Sequence, residues 1–423
     1  MGKARKNGNG EGTIYLRKDG RWEGTAYVLT TDGTYKRRSV YGRTWDEAHE
    51  KLTRLKADSQ TGLPVATSRM TVAEYLAYWL AHVARVKVRK TTYVNYESLV
   101  RNYIVPGLGR KRVARLTARD IRAFLLTTAR TCQCCAQGKD EARPERKRRC
   151  CALGRCCEKY PSDRTVRFLL VILRAALQHA VREDELPRNV ARNVELGMGT
   201  KREIEPLTAQ EGKQLLAAAR GNRLWAAYEL AVRTGLRRGE LLGLRWQDVD
   251  LHEGVLTVRQ ALQRVGGELI IVPPKTQRSA RRVALPAECV RALRAQRAQQ
   301  LADRRAAGEK WKGTGQGLVF TTKNGTPIEP RNLNRSFEAL CARAKVRRVR
   351  FHDLRHTCAS LLHEQGADAR MIMEVLGHSS IRVTMDVYTF VRLDAQRSAF
   401  ARMGNALGDG GADGADGSDG GGP

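Results

Sequence analysis

The stretch Phe351-His352-Asp353-Leu354-Arg355-His356-Thr357, with Leu376-Gly377-His378 and Tyr388 after it, decides how this chain is read. It sets histidines, an arginine and a tyrosine in an order that suits phosphoryl transfer onto a tyrosine. Such a transfer needs charge stabilisation on the non-bridging oxygens, a positioned nucleophile and a proton for the leaving oxygen. Arginine serves the first need, because its rigid fork reaches two oxygens and never loses its charge. A free tyrosine has a pKa of about 10 and requires activation at neutral pH, and histidine titrates close enough to that pH to accept or relay its proton.

Two further pieces lie upstream. In Thr234-Gly235-Leu236-Arg237-Arg238-Gly239-Glu240 a glycine turn precedes Arg237 and a helix follows it. Arg237 therefore falls near a helix N-terminus, where backbone N–H groups also favour anions. Glu240, three residues on, is placed to hold an arginine. Lys275, in Pro274-Lys275-Thr276, sits in a strand-turn setting from which a lysine can reach a phosphate. Taken singly, Arg237 and Lys275 read as ordinary surface cations, and Tyr388 as a packed aromatic.

The chain has 423 residues and a formal net charge of +32, with 76 Lys and Arg spread along it. It is long enough for two or three domains, each with its own core. So basic a chain implies a polyanionic partner, nucleic acid first. No run of about 18 apolar residues is present and none follows the basic start, so a cytoplasmic, non-membrane protein is expected.

The N-terminal segment alternates as paired strands at Thr13–Leu16, Trp22–Leu29 and Tyr35–Tyr41, joined at Asp19-Gly20 and Asp32-Gly33. A capping pair, Thr44 and Glu47, opens a helix to about Ala57. This small basic module, with Arg17, Lys18, Lys36, Arg37 and Arg38, has a size that fits a DNA groove. A second capping pair, Thr71 and Glu74, opens a helix with an apolar stripe from Val72 to Val83. The next helix starts at Thr91 or Thr92 and is expected to stop at Pro106-Gly107. A helix after Thr117 and a long one from Ser162 to about Arg182 complete an all-helical segment. Thr208 and Glu211 open the last segment: helices to about Leu244, three short strands (255–259, 268–272 and 282–285), then helices to about Met403. From Gly404 the chain is rich in Gly, Ala and Asp and is expected to be disordered.

Seven of the ten cysteines, Cys132, Cys134, Cys135, Cys150, Cys151, Cys156 and Cys157, lie in one stretch around a basic run from Lys139 to Arg149. In a cytosolic protein such clustering favours metal over disulfides. Four of these thiolates can serve one structural zinc. The spacing matches no standard zinc finger, and reduced thiols in a loop or a redox-sensitive patch stay open as alternatives.

The boxes Thr234-Gly235-Leu236-Arg237 with Glu240, Pro274-Lys275-Thr276, His352-Asp353-Leu354-Arg355-His356, Leu376-Gly377-His378 and Tyr388 together resemble the tyrosine recombinase (phage integrase) family. They stand in the family's order, over nearly the whole chain apart from the cysteine insertion and the acidic tail. The resemblance implies an α+β multidomain fold. Residues 1–58 would be an arm-type DNA-binding domain of three strands and a helix. Residues 70–192 would be an all-helical core-binding domain with the Cys-rich insertion 132–157. Residues 207–403 would be a mainly helical catalytic domain with a small antiparallel sheet, and 404–423 a tail. It implies a site-specific DNA recombinase (integrase) that cleaves and rejoins DNA through a 3′-phosphotyrosyl intermediate, without ATP or a catalytic cofactor, and integrates or excises a mobile element.

Tyr388 would then be the nucleophile, and Arg237 and Arg355 would bind the non-bridging oxygens. His352 would take or relay the tyrosine proton, His378 would hydrogen-bond the phosphate, and Lys275 would protonate the leaving 5′-oxygen. The partners implied are double-stranded DNA at core and arm-type sites and a homotetramer on that DNA, with room for a host bending protein or an excision factor. The place of action would be the nucleoid. Two alternatives share the chemistry or the fold: a type IB topoisomerase-like enzyme and a non-catalytic DNA-binding regulator.

Overall fold

Alternating residues along three short segments build the first layer. In the computed structural model, which describes residues 12–31, 33–60, 69–197, 204–274, 280–313, 315–377, 380 and 393–407, strands β1 (Thr13–Leu16), β2 (Trp22–Leu29) and β3 (Tyr35–Gly42) form an antiparallel sheet in that order. The register sets Tyr15 opposite Glu23, Tyr27 opposite Arg37 and Leu29 opposite Tyr35. Because strand side chains alternate faces, the face that carries Tyr27 also carries Arg37, Tyr35 and Tyr41. Lys36 and Arg38, grouped with Arg37 at the level of sequence, point to the other side. That side holds Ala26 and Val28, which pack on Leu52 of the Trp45–Gln60 helix. Thr44 Oγ1 accepts the Glu47 N–H as expected, while the Glu47 carboxylate reaches the Arg43 N–H instead of that of Thr44.

The chain divides into two compact units, Met1–Lys201 and Arg202–Pro423. The helical part of the first unit has its own apolar core, centred on Tyr75, Leu76, Ile104, Ile121, Leu125 and the stripe Leu169, Leu173, Leu177 of the Asp163–Arg182 helix. Thr71 and Thr117 each close a full capping box, with Glu74 and Asp120. Each such cap contributes about 1 kcal/mol by satisfying N–H groups that would otherwise lack a partner.

One expectation fails here: the helix from Lys90 does not stop at Pro106-Gly107. It widens into a π-helical turn, Val100–Ile104, and continues as Val105–Leu108 with Pro106 in its first turn. Proline lacks an N–H and clashes with the carbonyl four residues back in a regular helix, but is tolerated at a helix start. The wide turn effectively restarts the helix at Val105, so the chain passes the proline.

In the second unit, Thr208 and Glu211 form the third capping box, at the Ala209–Ala219 helix. The helices Trp225–Thr234 and Arg238–Leu242 follow, then, among the described residues, five strands where three were expected. β4 (Val249–Asp250), β5 (Val255–Val258) and β8 (Arg281–Ala284) make one antiparallel sheet, and β6 (Ala261–Val265) and β7 (Glu268–Val272) make a separate hairpin. Two strands were unforeseen: β4 is only two residues long, and β6 has only Leu262 and Val265 buried, too weak an alternation to stand out in sequence. Helices Ala287–Ala307, Pro330–Arg343, Asp353–Glu364 and Ala369–Leu376 complete the core around Tyr228, Phe320 and Phe337. A last described helix, Leu393–Leu407, runs beyond the boundary drawn at Gly404, and the rest of the tail expected there, from 408, lies outside the described residues.

Candidate active site

Arg237 is the residue just before the Arg238–Leu242 helix, in the position its glycine turn suggests. Gly235 ends the preceding helix in the left-handed region, φ +61°, and reverses the chain so that Arg237 starts the next helix. A Cβ on Gly235 would lie 2.4 Å from Leu376 Cδ2. Glu240 accepts the Arg237 backbone N–H at 3.1 Å and its side-chain Nη1 at 2.7 Å, and Arg237 Nη2 donates to the Gly377 carbonyl at 3.1 Å. The guanidinium is thus aimed by one carboxylate and one carbonyl while staying partly exposed.

Arg355 comes from the first turn of the Asp353–Glu364 helix, 118 residues later in the chain. It is only 4% exposed. Its Nη1 donates to the Gly235 carbonyl at 2.9 Å, and its Nη2 donates to the Leu376 carbonyl. The carbonyls that hold both arginines thus belong to two glycine turns, Gly235 and Leu376-Gly377. Burial first, then the positive charge of Arg237, pulls the Arg355 guanidinium down to about 9, while Glu240 opposes the shift. It stays charged at neutral pH, but in a setting that penalises its charge until an anion arrives.

Sequence reasoning missed the third arginine. Arg281, at the start of β8, is buried, pairs with Glu240 at 3.0 Å and donates from Nε to the Val375 carbonyl at 2.7 Å. Burial pushes the Glu240 carboxyl up, but Arg281 and Arg237 outweigh that and hold it below the usual carboxylate range. One buried carboxylate therefore orders two guanidinia. The basic pair Arg281-Arg282 at a strand start was the only available signal, and it resembles many surface pairs.

His352 immediately precedes the Asp353–Glu364 helix and is exposed at the rim. Its pKa lies below the ordinary value, from partial desolvation first and then from His356 and Arg355. It is therefore neutral, and able to accept a proton, at pH 7. His356 lies edge-on to it, ring centres 6.0 Å apart, and is half-buried. Lys275, His378 and Tyr388 fall outside the described residues.

In the first unit all seven clustered cysteines converge. Cys132, Cys135, Cys151 and Cys156 have sulfurs within 4.8 Å of one another, and so do Cys134, Cys150, Cys151 and Cys157. The sequence pointed to four thiolates out of seven; the fold gathers every one. Asp140, fully buried beside them, was not singled out. It accepts N–H groups of Arg149, Cys150 and Ala152 and pairs with Arg143 at 2.7 Å.

Comparison with known proteins follows the same lines. Residues 205–394 match the phage integrase family, and residues 71–126 match the phage integrase N-terminal SAM-like domain. A tyrosine recombinase XerC-like protein of Caldanaerobacter subterraneus subsp. tengcongensis is 30% identical over 377 residues, covering 85% of this chain and 89% of that protein. An integrase of Streptomyces ambofaciens is 30% identical over 403 residues, covering 92% and 94%. Among solved structures, the Tn1549 transposon integrase in complex with transposon right end DNA shares the fold at TM-score 0.59 and 23% identity, covering 79% of this chain and 99% of that one. A lambda integrase tetramer bound to a Holliday junction does so at TM-score 0.51 and 19% identity, covering 90% and 96%.

Proposed function

The chain belongs to the phage integrase family of tyrosine recombinases, enzymes that cut and rejoin DNA at specific sites, and from that premise we propose how its own residues carry the reaction. Arg237 and Arg355 clamp the non-bridging oxygens of the scissile phosphate. Tyr388 attacks the phosphorus and forms a 3′-phosphotyrosyl bond while the 5′-oxygen leaves with a proton from Lys275. His352 takes the phenolic proton, and His378 donates a hydrogen bond to the phosphate. Religation runs the same steps in reverse with a 5′-hydroxyl from a second duplex. The phosphodiester energy is kept in the protein–DNA bond, so the chemistry requires no nucleotide.

The observation that carries this reading is the approach of Arg237 and Arg355. Two like charges repel, and here backbone carbonyls and Glu240 hold them at one place. Such an arrangement destabilises the empty site and favours an anion bound between them. It also fits a catalytic domain at 207–403.

The exposed tyrosine-and-Arg37 face of the N-terminal sheet suits a separate duplex contact, as an arm-type module at 1–58 would make. The helical segment 70–192 would then grip core DNA. No helix among the described residues is long and apolar enough to cross a membrane. The active assembly is a tetramer on two DNA sites, a state supported by the lambda integrase tetramer on its junction. The Cys132–Cys157 insertion is a structural zinc site that takes no part in the chemistry.

A suicide substrate nicked near the cleavage point tests the core of the reading. The wild-type protein traps a covalent DNA adduct and Tyr388→Phe does not; no adduct from the wild type would refute it. Strand exchange between two duplexes then separates recombination from simple relaxation of supercoils.

A further inference from the structure

The cysteine insertion has a geometry that one zinc does not use up. Its seven sulfurs form two sets of four, and Cys151 belongs to both. Two tetrahedral shells that share one atom require seven sulfurs, the number present. We infer that the Cys132–Cys157 insertion binds two zinc ions, with Cys151 as a bridging thiolate between them. The inference rests on the reading of this loop as a metal site and extends it from one ion to two.

Distances support the two shells. Zinc–sulfur bonds of about 2.3 Å in a tetrahedron put the sulfurs roughly 3.8 Å apart. The spacings are 3.8 Å for Cys134–Cys150, 3.8 Å for Cys135–Cys156 and 3.7 Å for Cys151–Cys157. Each of these pairs lies within one shell. Cys132 and Cys157, from different shells, come within 3.9 Å, as neighbouring shells with a common vertex allow. All ten cysteines are free thiols, so no disulfide accounts for the gathering. A four-iron cluster would put each thiolate on a different iron and spread the sulfurs further than this.

The insertion also has no other core. Between Cys132 and Cys157 the only large apolar residue is Leu153, which is 57% exposed. The buried residues are Cys132, Gln133, Cys134 and Asp140. A segment this size without an apolar core folds only when something else ties it, and metal binding can supply that free energy. Asp140 orders the turn that delivers Cys150 and Cys151, through the N–H groups of Arg149, Cys150 and Ala152. The Gln133 N–H donates to the Lys159 carbonyl at 2.9 Å and closes the base of the loop. Seven thiolates around two divalent ions leave net negative charge, and the basic run Lys139, Arg143, Arg146, Lys147, Arg148 and Arg149 lies in the same loop to offset it. Binding displaces the remaining thiol protons to solvent, and no oxidant or reductant is involved.

The test is metal stoichiometry of the full-length protein, purified without chelator after growth with zinc and read by native mass spectrometry and elemental analysis. Two zinc ions per chain are expected, with the seven thiols unreactive to alkylation until a chelator removes the metal. Cys156→Ser, which spoils one shell, should keep one ion, and Cys151→Ser should lose retention of both. One ion in the wild type overturns the two-ion inference and leaves the single-zinc reading standing. No zinc, iron with sulfide, or a mass lowered by disulfide formation overturns both. Because the wild-type count decides by itself, a variant that fails to fold does not shelter the proposal.

Discussion

Replacing Glu240 by glutamine removes a buried negative charge that orders Arg237 and Arg281 while keeping the side chain's shape. Glu240 is 7% exposed and pairs at 3.0 Å with Arg281, equally buried, so solvent screens that pair little, while Arg237 at 2.7 Å is partly exposed. Removing one partner of a buried ion pair costs about 3–5 kcal/mol, and a glutamine oxygen can still accept one of the bonds. The lower end, about 3 kcal/mol, is therefore expected. For a unit of about 200 residues each kcal/mol shifts the Tm by roughly 2–4 °C, which predicts a fall of about 6–12 °C at pH 7.

The pH dependence has a definite sign. The folded-state pKa of Glu240 is depressed, so its contribution is fully present above the unfolded value of about 4.3 and disappears as pH falls through the folded value. The gap between wild type and variant should close in that acid range. Arg237 loses one of its two guides, so cleavage of a suicide substrate should slow by roughly 10²-fold. Thermal unfolding from pH 3 to 8, with cleavage rates on the same preparations, measures both effects. A variant within about 1 °C of wild type at pH 7 that cleaves at the wild-type rate would refute the role given to this carboxylate.

Arg355→Lys should lower cleavage by about 10²–10³-fold, because an ammonium cannot donate to the Gly235 and Leu376 carbonyls and still fork onto a phosphate; single-turnover kinetics read this. The acid limb of the cleavage pH profile should lie below the ordinary histidine value of about 6.5, since His352 has a lowered pKa. His352→Asn should slow cleavage and abolish that limb, and an unchanged limb would assign it to another group. Gly235→Ala should destabilise the second unit by about 2–4 kcal/mol, from the left-handed backbone and the 2.4 Å approach to Leu376, as denaturant unfolding would register.

Most of the local elements were legible in the sequence. Thr71, Thr117, Thr208 and Ser162 begin helices where their capping chemistry says they should, and the three N-terminal strands run as alternation predicts. These signals are local, since a cap or an alternating strand is set by residues a few positions apart. The order of the Arg237, Lys275, His352, Arg355, His378 and Tyr388 boxes likewise disclosed the family before any geometry. Glu240, three residues past Arg237, was legible as its holder, and the structure shows that contact; the tertiary structure decided the rest of what holds the arginines. Arg281 and the carbonyls of Gly235, Leu376 and Gly377 come from elements up to 142 residues apart, and no spacing rule links them. The cysteines follow the same division. Composition announced a thiol cluster, but only the folded loop sorts seven sulfurs into two shells around a shared Cys151, because a shell is a matter of distance in space and not of position along the chain.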